Sequence, residues 1–384
     1  MTKKKKIVFL TATRADFGKL KPLINSVRES NLFESYIFVT GMHTLSKYGS
    51  TYDEVEKIYS KNVFVYMNQT SSTDLDIILA NTITGFSNFV KEIKPDLIII
   101  HGDRVEALAG TTVGSLNNIL VGHIEGGELS GNIDELMRHA ITKLAHIHFV
   151  ANVKAKKRLT QMGESKNNVF VIGSPEIDIM KSKNLPTLSK VKERYNIKFD
   201  SFSIFIFHPL STEFNNTFSQ IHDTISALIS SEKNYLIIYP NNDEGSEIII
   251  NEFERLKNNS HFKIYPSLRF EYYLTLLKNS NFIIGNSSSG IREAEIFGTS
   301  AINIGNRQKN RSSNKNIIHV EPNEEKILQA IDNLPKQKVS VKNTFGTGKS
   351  KERFFKILKN VSTWNIPIQK QFIDFIEPIH NMKK

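Results

Sequence analysis

The sequence has no cysteine and a single tryptophan in 384 residues. The first absence excludes disulfides, thiolate nucleophiles and cysteine-based zinc or iron–sulfur sites together. No run approaches the ~18 consecutive apolar residues of a membrane-spanning helix. The opening MTKKKKIVFLTATRADF is basic, but its apolar part is only about five residues long and runs into charge rather than a small-residue cleavage site. A cytoplasmic location is therefore expected. After the first apolar run a dinucleotide fold would show G-x-G-x-x-G, which is missing, so nicotinamide chemistry is disfavoured. GTGKS at Gly346 to Ser350 has Asn343 where a phosphate-binding P-loop needs its first glycine, and it follows a weakly apolar stretch, so it reads as a loop. His139, His146 and His148 lack the H-E-x-x-H spacing or a clustered carboxylate, and structural roles are expected for them, with His139 left open.

What is present points to a folded protein of two domains. Hydrophobic residues make up 39% and charged residues 23%, outside the disordered range. Single cores seldom grow beyond roughly 250–300 residues. The net charge of +11 includes six lysines at the two ends, Lys3 to Lys6 with Lys383 and Lys384, which leaves +5 for the remainder. That surplus comes without a nucleic-acid motif and suits a small phosphorylated ligand. Short apolar runs recur: KIVFLTAT, SYIFVTG, NVFVYM, DLIIIHG, NILVGHI, AHIHFVAN and NVFVIGSP, then FSIFIFHPL, YLIIYPNND, HFKIYPS, NFIIGNSSS, SAINIGN and NIIHVEP. Between most lie segments with helical spacing, such as Leu20, Leu23, Ile24 and Val27, or Leu136, Ala140, Ile141 and Leu144. Strands alternating with helices predict an α/β fold of two doubly wound parallel sheets, with a hinge near residues 173–200. The tail reads as helical pieces broken at Pro367, with Trp364 on an apolar face that must cover something.

In open α/β sheets ligands sit beyond the carboxyl ends of the strands. Asp103 and Glu125 follow two of the most apolar runs, with Glu128 and Asp134 close behind. Four carboxylates gathered there would repel one another and resist burial. Something cationic, or an acid–base task, must justify them. Arg138, one turn after Asp134, is either a surface partner of it or part of the same cluster. Arg14 and Lys19 lie at the first strand-to-helix turn, either exposed or facing an anion. In FIIGNSSSGIREAEIFG a helix is expected to begin around Ile291, so that free N–H groups near Ser287, Ser288 and Ser289 cradle a pyrophosphate. Glu293 can accept hydrogen bonds from ribose hydroxyls, and His208 ends the first strand of the second half, either donating to phosphate or sugar or standing as a hydrogen-bonded histidine of the rim.

Taken together, TATRADFGKLKPLI, IHGDRVEALAG, HIEGGELSGNIDELMRHAITKLAHIH, IGSPEID, FHPL, YPNND, GNSSSGIREA and GNRQKNR resemble the hydrolysing UDP-N-acetylglucosamine 2-epimerases of bacterial sialic-acid pathways. The resemblance spans nearly the whole chain. It implies a GT-B-type pair of Rossmann-like domains facing across a cleft, with residues 1–175 carrying the carboxylates, 176–365 binding UDP, and 366–384 forming a helix that returns to the first domain. It implies Asp103, Glu125 and Asp134 as catalytic acids with Arg138 beside them, and nucleotide contacts from Arg14, Lys19, His208, Ser287 to Ser289 and Glu293. Tyr273 matches an aromatic position beside the uracil. The reaction implied is UDP-GlcNAc plus water to N-acetylmannosamine (ManNAc) and UDP, without metal or redox cofactor, in a homodimer. Non-hydrolysing relatives carry a longer insertion between the second and third acids; here the interval is nine residues. A cousin acts on a UDP-2,4-diacetamido-trideoxy sugar, and the alternatives are that substrate, a GT-B glycosyltransferase, or a nucleotide-sugar binder without catalysis. Crowding is expected to raise the pKa of at least one catalytic acid.

Overall fold

The computed structural model describes residues 4–130, 133–308, 317–335, 344–371 and 373. Each apolar run becomes a strand. The first half holds β1 (Lys5–Thr11), β2 (Phe33–Val39), β3 (Val63–Val65), β4 (Leu97–His101), β5 (Leu120–Ile124), β6 (Ile147–Val150) and β7 (Val169–Val171). The second holds β8 (Ser203–Ile206), β9 (Tyr235–Ile238), β10 (Phe262–Tyr265), β11 (Phe282–Gly285), β12 (Ser300–Ile304) and β13 (Ile317–Val320). The sheets are parallel, in the orders β3-β2-β1-β4-β5-β6-β7 and β10-β9-β8-β11-β12-β13. Both are Rossmann-like, as the GT-B reading expects.

The central strands are buried along their length because both faces of each sheet are covered. Alternate residues feed opposite cores. Ile7 and Phe9 pack with Leu20, Leu23, Ile24 and Val27 of the Arg14–Arg28 helix, whereas Val8 and Leu10 pack with Phe86 and Val113. Phe205 and Ile204 divide the second sheet in the same way. The Ile133–Leu144 helix departs from its predicted apolar face. Leu136 is 67% exposed, and the buried residues are Arg138, Ile141 and Thr142. Its inner side is partly polar because it carries part of the site.

After the second sheet the chain crosses back beside its own outward path. Ser174 N–H donates to the Phe345 carbonyl at 2.7 Å, and Ser350 and Lys351 N–H donate to the Asp178 carboxylate at 2.9 and 2.7 Å. Asp178 thus occupies the helix start that follows GTGKS, where a P-loop would hold phosphate. The Ser350–Lys359 helix then buries Phe354 in the first core, its ring 4.9 Å from that of Phe149. Contact with the first sheet accordingly begins near residue 350, ahead of the expected 366. Of 366–384, residues 366–371 form no helix, and most of the rest lies outside the described residues.

Three imidazoles, those of His43, His123 and His148, sit fully inside the first domain. Burial pushes His43 down to about 4 and His123 down to about 3. An unfolded histidine titrates near ~6.5, so below that pH the unfolded chain binds more protons than the folded one. The contribution of His43 and His123 to stability is complete above pH ~6.5 and is lost as the pH falls toward the folded values. Urea unfolding at pH 5 should show each costing about 2 kcal/mol relative to pH 7.5. Equal unfolding free energies at the two pH values would contradict this.

Candidate active site

Strand order reverses between β1 and β4 in one sheet and between β8 and β11 in the other, and a crevice opens at such a reversal. The two crevices face each other across a cavity of about 300 Å³. Arg14, Lys19, Asp103, Glu125 and Asp134 line it from the first half; His208, Tyr273, Ser287, Ser288, Ser289 and Glu293 line it from the second. Arg138 stands behind Asp103.

Local structure explains the placement. At the β1 turn Thr13 caps the Arg14–Arg28 helix in a reciprocal pair with Asp16, aiming the helix amino end and Arg14 at the cavity. Arg14 already reaches across the cleft, donating to Ser267 Oγ at 2.7 Å and pairing with Glu54 at 3.0 Å. After β4 the chain turns at Gly102, φ +77°, to present Asp103. After β5 Glu125 itself takes a left-handed φ of +69°, a strained conformation for a residue with a side chain. It is held by N–H donation to the Phe149 carbonyl at 3.1 Å.

Each of the four acids has a cation. Arg138, 2% exposed, bonds Asp103 and donates to the Glu128 carbonyl at 3.0 Å. It therefore turns to Asp103 and is no surface partner of Asp134. Asp134 meets Arg307 of the opposite half at 3.3 Å. Arg292, also from the opposite half and 2% exposed, holds Glu125 in bidentate fashion at 2.5 and 2.9 Å. It holds Glu128 at 2.7 Å and Glu176 at 2.5 Å as well, and bonds Ser174. Lys19 adds contacts of 3.8 Å to Glu125 and 3.9 Å to Glu176. Burial alone would raise the Glu125 carboxyl, but Arg292, Lys19 and His101 outweigh it and hold it well below the usual carboxylate range. For Glu125 the crowding expectation fails, because cations from both halves reach the same spot.

The facing half is a cradle with narrower donors than expected. A Cβ at Gly285 would run into the Ile206 carbonyl, so glycine lets β8 and β11 approach where their order reverses. The next residues form one tight turn, Ser288–Gly290, and then a helix of only five residues, Glu293–Phe297. The N–H groups of Gly290, Ile291 and Arg292 are taken up by Ser287 and Ser288 carbonyls, so serine hydroxyls carry more of the cradle than a helix start would. Tyr273 hydroxyl bonds Ser289. At His208, Asn241 N–H donates to Nδ1 at 3.1 Å; an amide can only donate, so the ring proton sits on Nε2. Burial, with Arg307 and Arg104 nearby, holds His208 well below its usual pKa, leaving a neutral N–H donor. Burial also lifts the Glu293 carboxyl, against the pull of Lys19 and Arg292 and with the push of Glu176.

A family model described as UDP-N-acetylglucosamine 2-epimerase matches residues 25–359. The chain belongs to the UDP-N-acetylglucosamine 2-epimerase family. Within the family it is 44% identical to the UDP-N-acetylglucosamine 2-epimerase of Neisseria meningitidis serogroup B, covering 96% of this chain and 99% of the relative. It is 31% identical to the UDP-N,N'-diacetylbacillosamine 2-epimerase (hydrolyzing) of Legionella pneumophila, covering 96% and 98%. The crystal structure of the Methanocaldococcus jannaschii UDP-GlcNAc 2-epimerase in complex with UDP-GlcNAc and UDP has the same fold, with TM-score 0.75 at 23% identity, covering 92% of this chain and 99% of that one.

For this family member the sequence reading missed Arg292, Arg307 and Glu176. GIREA and GNRQKNR were on the page, but a cation announces itself only beside its counter-charge. The partners of Arg292 lie 116 to 167 residues away in the chain.

Proposed function

We propose that the chain is a hydrolysing UDP-N-acetylglucosamine 2-epimerase, converting UDP-GlcNAc and water into ManNAc and UDP for sialic-acid synthesis. The observation that carries this reading is the division of the cavity: Asp103, Glu125 and Asp134 line one wall, and serine hydroxyls and a neutral His208 line the other. Carboxylates add nothing to the binding of an anionic nucleotide; they suit a site that moves protons.

The C2 hydrogen of the sugar becomes acidic only as the C1–O bond to the diphosphate breaks. In the first step a carboxylate takes the C2 proton, C1 and C2 form a double bond, and UDP leaves with the C1–O electron pair, giving 2-acetamidoglucal. In the second, water adds hydroxyl to C1 while an acid returns a proton to C2 on the opposite face, giving ManNAc. Acid–base groups are needed on both faces, and a third orients water. Asp103 and Glu125 are the candidates for the first proton and Asp134 for the other face. Glu125 stays ionised beside Arg292 and Lys19. Because Lys19 also lines the cavity, an incoming diphosphate competes for it and weakens one of the cations that hold Glu125 ionised, while Arg292 stays. Arg14, Lys19, His208 and the serine loop stabilise the departing UDP electrostatically.

The 44% identity to the Neisseria protein against 31% to the Legionella one supports UDP-GlcNAc over the diacetamido sugar. Incubation with each, followed by NMR, is expected to give free UDP and mannosamine-configured product fastest from UDP-GlcNAc. UDP release that requires an added acceptor would instead make the chain a glycosyltransferase. A cytoplasmic homodimer with domains 1–175 and 176–365 belongs to the same reading, and light scattering of the purified chain tests the dimer.

A further inference from the structure

The Ile133–Leu144 helix presents Asp134 and Arg138 to the site, yet it is poorly anchored by its own apolar surface. Only Arg138, Ile141 and Thr142 are buried along it, while Ile133 and Leu136 are 39% and 67% exposed. The amino half is held by Arg138 through Asp103, the Glu128 carbonyl and Ser130 Oγ. At the carboxyl end a helix leaves its last carbonyls without intrahelical donors. Ser115 Oγ meets the last of them, on Leu144, at 2.8 Å, and one side chain from far along the chain meets the two before it and the carbonyl just after. Lys370 Nζ donates to the carbonyls of Thr142, Lys143 and Ala145 at 3.2, 2.9 and 2.6 Å.

The lysine is itself fixed. Its ammonium pairs with Glu164 at 2.6 Å, a buried carboxylate that also receives Lys143 at 2.8 Å and His148 Nε2 at 3.0 Å. Two residues earlier the Ile368 carbonyl lies 3.0 Å from His146 Nε2. A carbonyl only accepts, so that nitrogen carries the ring proton. The other ring nitrogen, Nδ1, accepts from Val121 N–H at 3.1 Å, and one tautomer satisfies both bonds. Trp364, Ile366 and Ile368 pack on the first-domain core. The strap from Trp364 to Lys370 is thus stitched to the β5 and β6 region, and its lysine closes the helix from below. A twelve-residue helix is about 18 Å long, so the cap lies a full helix length from Asp134.

We propose that Lys370 is a positioning residue for the reaction: by capping the Ile133–Leu144 helix it fixes the register of Asp134 and Arg138 against the cavity. The effect on turnover rests on the functional reading above; the capping itself does not. A catalytic group displaced by about 1 Å can lose on the order of a hundredfold in rate, and Lys, Arg or His at a helix end is a recognised cap for stray carbonyls.

The test uses the full chain with K370M, K370Q and K370R. In K370M, hydrogen–deuterium exchange of peptides covering residues 133–144 is expected to speed up by about tenfold or more, while the Arg14–Arg28 helix keeps wild-type protection. Turnover should fall about ten- to a hundredfold, with UDP affinity held within about twofold, because none of the residues assigned to UDP lies on this helix. K370R, which can still donate to several carbonyls, should recover most of the rate, and K370Q, which keeps a donor without charge, part of it. Three outcomes overturn the proposal: unchanged exchange over 133–144, faster exchange with wild-type turnover, or a rate loss matched by loss of melting temperature and UDP binding that K370R fails to restore. Should K370M not fold, K370Q against K370R gives the same comparison. A wild-type chain inert toward nucleotide sugars would sink the functional reading, and the exchange measurement would still decide whether Lys370 caps the helix.

Discussion

Replacing Arg292 by methionine is expected to cost about 3–5 kcal/mol of folding free energy, the usual penalty for stripping the counter-ion from buried charge, and to abolish turnover. The guanidinium bonds Glu125, Glu128, Glu176 and Ser174 at once, so its loss leaves three buried carboxylates facing one another, with Lys19 still near two of them and His101 near Glu125. The pH dependence separates this from a packing defect. In the wild type Glu125 is depressed, so its contribution to stability is present above the ordinary carboxylate pKa and is lost as the pH falls through the folded value. In the variant, burial without the cation raises the carboxyl pKa values, and stability is then lost as the pH rises through them. Chemical denaturation should therefore show a larger deficit at pH 8 than at pH 5. A deficit that is the same at both, or below about 1 kcal/mol, would mean that the cluster is not what holds the halves together. Arg292→Lys keeps the charge but not the fork and should fall between.

Asp134→Asn is expected to lower turnover by about 10²–10⁴-fold, the range for a lost acid–base group, while UDP affinity stays within about threefold. Asparagine is isosteric and keeps an oxygen to accept from Arg307, now 3.3 Å from Asp134, so this contact across the cleft should survive. Calorimetric titration with UDP beside steady-state rates checks both halves of the statement. Turnover above about a tenth of wild type would remove Asp134 from proton transfer; a parallel loss of UDP binding would make it a structural tie between the halves.

Most of the strand framework was legible because a sheet buried on both faces leaves a short unbroken apolar run that no surface helix imitates. The same logic located Asp103 and Glu125, since strand ends at a reversal of order are where ligands bind. Helix faces were less legible. Leu136 looked like core by spacing and is exposed, because the inner side of its helix is given to Arg138 and Thr142. The serine loop was overread: GNSSSGIREA looks like a strand running into a helix, but Gly298, at φ +65°, stops that helix after five residues. The strain at Glu125 left no mark in the sequence at all, since only the surrounding fold forces a glutamate into a left-handed turn. The question of what justifies four clustered acids had its answer in sight but scattered: Arg138 nearby, Arg292 and Arg307 more than 150 residues downstream. Ion pairs that join two domains are invisible until the domains are placed face to face.

The most direct test of proton transfer by these carboxylates is turnover of UDP-GlcNAc in heavy water with NMR of the ManNAc formed. The account predicts a full equivalent of deuterium at C2, because the hydrogen removed from one face and the one delivered to the other pass through different side chains. Product that retains the original hydrogen at C2 would contradict it.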